Sequence, residues 1–176
     1  MKSAFFKICI VGDFSVGKST LLHQYLERRF VSDVQSTIGS NFFVKHLKIP
    51  KVKHLVTLQI WDLAGQDHFK WVRQAFYKGA KGIILVFDLA RKETFNHLGK
   101  WKEEVEDTIG KVPWILVGNK LDLVNPSKRV IPEEQCIIFS HKMGAIDYNE
   151  TSAKLGTGVD GIFYNLSVEM HKKFNR

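Results

Sequence analysis

The sequence predicts an α/β fold: a six-stranded mixed sheet with one antiparallel edge strand and about five flanking helices. Three observations predict it. Strand and helix signals alternate along the chain, and no repeat, low-complexity segment or Pro/Gly-rich linker divides it. Gly82–Leu89 is almost continuously apolar, the signature of a strand buried on both faces. The stretch Gly12-Asp13-Phe14-Ser15-Val16-Gly17-Lys18-Ser19-Thr20 fits the spacing G-x-x-x-x-G-K-[ST], and it sits between an apolar strand and a helical pattern.

The first strand covers about Phe5–Val11. The first helix covers about Lys18–Arg29, with Leu21, Leu22, Tyr25 and Leu26 on one face. Phe30–Gly39 has mixed polarity and no period, so it reads as a loop. Two strands follow, about Asn41–Ile49 and Lys53–Trp61, joined by a hairpin hinge at Pro50-Lys51. Asp62–Phe69 is a second loop, entering a short helix that ends before Gly79. After the strand at Gly82–Leu89, Glu93–Ile109 is one amphipathic helix with Phe95, Leu98, Trp101 and Val105 inward. Lys111–Val117 reads as a buried strand that tolerates Pro113 near its start. Pro132 suits the first turn of a helix running to about Met143. A short strand, Ala145–Asn149, precedes a closing helix, Val159–Phe174, with Ile162, Phe163, Leu166 and Met170 inward. Only the hairpin makes an antiparallel pair; crossovers through helices make the remaining strands parallel. Ligands bind such sheets beyond the carboxyl ends of the strands, where Asp62, Asn119 and Ser152 are each expected just after a strand.

The chain has 176 residues, room for one domain with its own core and no room for a second. No apolar run is long enough to span a bilayer. The N-terminus lacks a signal-like apolar stretch and a glycine for myristoylation, and no cysteine lies near the C-terminus for prenylation. Cys9 and Cys136 sit inside apolar patterns, which suits a reducing interior and suggests neither a disulfide framework nor a metal site. A net charge of +8 is compatible with an anionic membrane surface, with nucleic acid, or with simple solubility. The positive residues are scattered, and no basic arm of the kind that grips nucleic acid is present, so no nucleic-acid partner is expected.

Glycines in Gly12–Thr20 let backbone N–H groups curl around a phosphate, and the helix N-terminus adds partial positive charge there. Ser15, Val16, Gly17, Lys18, Ser19 and Thr20 are therefore candidate phosphate-binding residues. Lys18 is expected to reach the terminal phosphates and Ser19 to offer its hydroxyl to Mg²⁺. Asp62-Leu63-Ala64-Gly65-Gln66 adds an Asp that can hold magnesium through water, a Gly65 N–H for a γ-phosphate, and Gln66 to orient an attacking water. Asn119-Lys120-Leu121-Asp122 adds a base reader. The Asp122 carboxylate matches the N1–H and 2-amino group of guanine; adenine would leave it unpaired at a cost of about 1–3 kcal/mol. In Ser152-Ala153-Lys154 a backbone N–H can meet the guanine O6, with Lys154 packing nearby.

With these four elements in order, nearly the whole chain resembles the Ras superfamily of small GTPases. Thr37-Ile38-Gly39-Ser40-Asn41-Phe42, Ile60–Phe69 and Phe76–Ala80 look like the Rab branch. The resemblance implies a P-loop NTPase (G) domain over residues 1–176, acting as a monomeric GTP/GDP switch with Mg²⁺ and slow GTP hydrolysis in membrane trafficking or signalling. It also implies that Thr37 binds Mg²⁺ and the γ-phosphate, and that Phe30 packs against guanine. Effector, exchange-factor and GTPase-activating proteins would meet residues 30–45 and 62–78. Phe42, Trp61 and Phe76 match the aromatic trio with which Rab proteins meet effectors, although core or hairpin packing is the other reading. A cytoplasmic location follows, with peripheral membrane contact left open.

Several residues depart from the family pattern. Phe14 stands where the family carries a small residue, near the γ-phosphate and Gln66; it is expected to slow hydrolysis, and in the extreme leaves a GTP-binding adaptor that hardly turns over. Val34 and Ser36 replace a frequent aromatic and proline in the first switch. Leu63 replaces a usual Thr, and the family's cysteine-bearing tail is missing.

Overall fold

Successive side chains of a strand point to opposite faces, and this alternation sorts the apolar residues into two layers about one sheet. The computed structural model describes residues 3–50 and 54–174. The chain runs β1 (Ser3–Val11), α1 (Lys18–Glu27), β2 (Ser40–Ile49), β3 (His54–Leu63), α2 (Lys70–Tyr77), β4 (Ala80–Asp88), α3 (Lys92–Asn96), α4 (Leu98–Ile109), β5 (Trp114–Asn119), α5 (Glu133–Met143), β6 (Asp147–Glu150) and α6 (Val159–Phe174). The sheet order is β2-β3-β1-β4-β5-β6. β2 is the antiparallel edge strand, and every other pairing is parallel. This is the mixed α/β sheet the sequence predicts.

Phe6, Ile8 and Ile10 of β1 join a layer with Leu21, Leu22 and Tyr25 of α1 and Ile162, Phe163, Leu166 and Met170 of α6. Cys9 and Val11 point the other way, into a layer with Tyr77, Leu98, Trp101, Val105 and Cys136. β4 feeds both layers, which is why its sequence shows no alternation. Tyr25 and Phe163 stack with centroids 3.8 Å apart and planes 8° apart, locking α1 to α6. Both cysteines are buried free thiols, and burial pushes Cys9 up to about 12.

Several expected boundaries shift; β6, for one, covers Asp147–Glu150 rather than Ala145–Asn149. Asp62 lies inside β3, Asn119 closes β5, and only Ser152 stands beyond its strand. The expected helix over Glu93–Ile109 divides into α3 and α4 at His97, where ψ opens to −7° and the ring is drawn onto Asp13. Pro113 precedes β5 and lends its carbonyl to Ile83 instead. Pro132 caps α5 from outside, with ψ 138°, rather than occupying its first turn. The expected hinge at Lys51 and the strand start at Lys53 lie outside the described residues.

Phe163 is fully buried and stacked, so Phe163→Ala should cost about 3–5 kcal/mol in urea unfolding, with Phe163→Leu costing distinctly less. A loss below about 1 kcal/mol for the alanine variant would show that the α1–α6 seam carries little stability.

Candidate functional site

β1 ends at the carboxyl edge of the sheet, and the chain turns there through Gly12. A β-carbon on Gly12 would stand 2.1 Å from the Val86 carbonyl oxygen, so only glycine lets the loop lie this close to β4. Ser15 adopts φ 64°, turning successive N–H groups toward one side. α1 then opens without a side-chain cap, leaving its first-turn N–H groups as donors for an anion. Lys18 is buried, and its Nζ donates to the carbonyls of Gly12 at 2.8 Å and Asp13 at 2.7 Å. Burial pulls its pKa down to about 8, against the pull of Asp62 and Asp13.

Three oxygen groups converge beside Lys18. Ser19 Oγ lies 3.0 Å from Thr37 Oγ1 and also donates to Asp62 Oδ2. Asp62 is fully buried, and its Oδ1 has no hydrogen-bond partner. Burial raises the Asp62 pKa, with the Ser19 hydroxyl and the Lys18 ammonium acting in the opposite direction. Two hydroxyls beside a carboxylate with an orphaned oxygen suit a hard divalent cation, so the residues fit Mg²⁺. The second loop packs tightly on the first: a β-carbon on Gly65 would stand 2.4 Å from the Phe14 nitrogen. Gln66 follows, half-buried, with Oε1 unpartnered.

The far end of the site is built on Asn119. Its buried carboxamide donates to the Val16 carbonyl at 3.0 Å and accepts from Thr151 Oγ1 at 3.0 Å and the Ala153 N–H at 3.2 Å. Lys120, at φ 66°, sends Nζ to the Ser15 carbonyl and to Asp88 Oδ2, both at 2.8 Å. Asp122 Oδ1 accepts the Ser152 hydroxyl at 2.6 Å, which holds the carboxylate in place. One cleft of about 400 Å³ is lined by Ser15, Gly17, Lys18, Ser19, Thr20, Phe30, Thr37, Gly65, Gln66, Asn119, Lys120, Asp122, Ala153 and Lys154. Val16, Asp62 and Ser152 stand just behind this wall, joined to it by their bonds to Asn119, Ser19 and Asp122. Phe14 lines the same cleft and is 48% exposed.

Several supporting residues escaped the sequence reading. Asp88 anchors Lys120, and Glu150 holds Arg129 behind the base loop. Asp13 takes hydrogen bonds from Trp101 Nε1 and contacts His97 Nδ1, both at 2.6 Å, tying the phosphate loop to α4. Arg73, Glu104 and Tyr77 form a buried cluster behind Gln66. Burial works against the Arg73 charge, and the Glu104 carboxylate more than offsets it. The available signal was a polar residue ending an apolar strand for Asp88, and a charge on the inward stripe of a helix for Arg73 and Glu104.

Beyond the site, Phe42, Trp61 and Phe76 do meet. Their rings stand 4.8 Å and 5.1 Å apart in succession, and Phe42 is 47% exposed on the edge strand. Among the described residues no helix is long and apolar enough to cross a membrane.

Comparison with known proteins agrees with this geometry. The sequence pattern of the Ras family matches residues 7–172. The chain is 36% identical over 171 residues to the Ras-related protein RABG3e of Arabidopsis thaliana, covering 94% of this chain and 82% of that one. It is 38% identical over 162 residues to the Ras-related protein Rab7 of Cenchrus ciliaris, covering 89% and 78%. It is 38% identical over 172 residues to the Ras-related protein Rab11A of Lotus japonicus, covering 97% and 74%. A family match across nearly the whole sheet, joined to a phosphate loop and base loops that meet in one cleft, places this chain in the Ras family of small, GTP-hydrolysing proteins, with Rab-like relatives.

Proposed function

We propose that residues 1–176 act as one guanine-nucleotide switch domain that holds GTP or GDP with Mg²⁺, hydrolyses GTP slowly and regulates membrane traffic. One observation carries this reading: a single cleft joins Lys18 and the Ser19–Thr37–Asp62 oxygens at one end to Asn119, Asp122 and Ala153 at the other. That spacing of anion donors and a guanine-matched carboxylate suits a guanosine phosphate.

Ser15–Thr20 N–H groups and Lys18 receive the phosphates, exchanging carbonyl partners for phosphate oxygens. Ser19, Thr37 and Asp62 would hold the cation. When bound, Mg²⁺ neutralises charge on the β- and γ-phosphate oxygens. The Gly65 N–H meets the γ-phosphate, and Gln66 orients the attacking water through its unpartnered Oε1. Asp122 and a backbone N–H of the Ser152-Ala153-Lys154 stretch read guanine, with Phe30 and Lys154 packing at its sides. Positioning and electrostatics do nearly all the work in this chemistry, so few groups are needed. Exposed Phe42, with its ring against the partly buried, core-packed Trp61 and Phe76 beyond, supports effector docking through residues 30–45 and 62–78, which exchange and activating proteins would share. Peripheral membrane contact rests on the +8 charge alone, and a monomer without nucleic acid is the simplest working form.

Phe14 favours a second reading, a GTP-loaded adaptor with negligible turnover, because its ring shares the cleft with Gln66. Single-turnover phosphate release from the GTP-loaded protein separates the two. Slow release that drops about 10–100-fold in Gln66→Leu and quickens in Phe14→Ser supports the hydrolysing switch. Firm GTP binding with no detectable release supports the adaptor. An unchanged rate in Phe14→Ser would remove Phe14 as the cause of slow turnover.

The low Lys18 pKa gives a pH test. A neighbouring phosphate raises the ammonium pKa above its free value of about 8, so binding takes up a proton at higher pH. GTP affinity should be flat below pH 8 and weaken toward pH 9, by up to about tenfold per pH unit. Lys18→Arg should bind less well throughout and lose that slope, because its guanidinium stays charged. A wild-type Kd that is constant from pH 7 to 9 by fluorescent-nucleotide titration would refute the assignment.

A further inference from the structure

We propose that Arg73 is a positioning residue for hydrolysis, holding the main chain on both sides of Gly65 so that Gln66 points into the cleft. The inference rests on the reading of Gln66 given above.

Arg73 lies on α2 and is 1% exposed. Its Nη1 donates to the Ala64 carbonyl at 3.0 Å and the Gln66 carbonyl at 2.6 Å. Nε and Nη2 grip the two oxygens of Glu104 on α4 at 2.8 Å and 3.0 Å. Tyr77 donates to Glu104 Oε1 at 2.8 Å, and the guanidinium lies 4.4 Å over the Trp101 ring. The plane of the guanidinium is therefore fixed by a carboxylate, a ring and two carbonyls. A lysine has no such fork and cannot make these contacts together.

A buried ion pair is poor evidence of stabilisation, since apolar residues of similar volume serve as well or better. What apolar residues cannot do is hold two main-chain carbonyls. The carbonyls Arg73 holds are those flanking Gly65, where the second loop already touches the Phe14 nitrogen position. Gln66 Oε1 has no partner, so the direction of that side chain is inherited from its backbone. Beside the loop lies an open cleft of about 430 Å³, lined by Phe14, Gly65, Gln66, Arg73, His97 and Trp101 among others. An unbraced loop can sink into it and withdraw Gln66 from the nucleotide side. Arg73 thus links α4 to the catalytic loop from the face opposite the nucleotide.

The test uses the full chain with the paired change Arg73→Met/Glu104→Gln, which leaves no unpaired buried charge. Four readouts are needed: melting temperature, GTP affinity, amide hydrogen exchange over residues 64–69 in the GDP-loaded and nucleotide-free protein, and single-turnover phosphate release. The expected result is a melting temperature lowered by a few degrees, since the Ala64 and Gln66 carbonyls lose their donor, and a Kd within about twofold. Exchange over 64–69 should quicken about tenfold in both states. Release should fall about 10–100-fold, with no further fall when the paired change is added to Gln66→Leu. Arg73→Lys keeps a charge for Glu104 and serves where the paired variant does not fold; it should show the same pattern. The inference is overturned if exchange and release match wild type, or if the change slows release further in the Gln66→Leu background. Should Gln66→Leu alone leave release unaltered, the reading of Gln66 itself fails, which is a separate result.

Discussion

The site depends on one buried carboxamide. Asn119 ends β5 and spends its donor on the Val16 carbonyl and its acceptor on Thr151 and Ala153. This one side chain thereby touches the phosphate loop, the base-reading loop and the segment after β6 at the carboxyl edge of the sheet. A shorter residue would leave the Val16 carbonyl and the Thr151 hydroxyl unpaired in a dry place, each costing about 1–3 kcal/mol. An aspartate has the right shape and lacks the donor for Val16. Lys120 adds a second tie by reaching the Ser15 carbonyl from the next position. Together these contacts set the distance between the two ends of the cleft.

Around this frame the protein keeps charges in places where water cannot reach them easily. Lys18 is buried with main-chain carbonyls as partners, and Asp62 is buried with one oxygen unmet. The low Lys18 pKa and the raised Asp62 pKa have the same origin, loss of solvent around an ionised group. Such groups gain most from a ligand of opposite charge, because the ligand restores what burial removed. The contrast with Arg73–Glu104 and Lys120–Asp88 is informative. Those buried or half-buried charges have partners within the chain, so they also shape the site.

The legible part of this site was the part written in contiguous residues. Gly12–Thr20, Asp62–Gln66, Asn119–Asp122 and Ser152–Lys154 each sit in one stretch beside a strand, so local pattern and topology sufficed to bring them to one edge. The inward faces of α1 and α6 followed from hydrophobic spacing for the same reason, whereas the order of the strands in the sheet came only from the structure. What stayed hidden depends on pairs far apart in sequence. Asp13 with Trp101 is 88 residues distant, and Arg73 with Glu104 is 31. Each looks like an ordinary surface charge until the fold supplies its partner. The break at His97 was hidden for the same cause, since nothing near it in sequence says that its ring leaves the helix for Asp13.

The two loops over the phosphate end are held very differently, and this bears on which of them can move. Phe30–Gly39 forms no helix or strand, and Ser32, Asp33, Gln35, Ser36 and Ile38 are exposed. Its tie to the phosphate loop is the contact of Thr37 with Ser19, between two small hydroxyls. With so little buried surface, the loop has few contacts of its own to order it, and Thr37 beside Ser19 and Asp62 is where a ligand would add to them. The stretch Ala64–Gln66 is instead wedged against Phe14 and gripped by Arg73. The first loop is further joined to the second where the Gly39 carbonyl accepts the Ala64 N–H at 2.9 Å, whereas the second loop is also held by the Arg73 guanidinium. The first loop is thus the more loosely held of the two, and the second is the better braced.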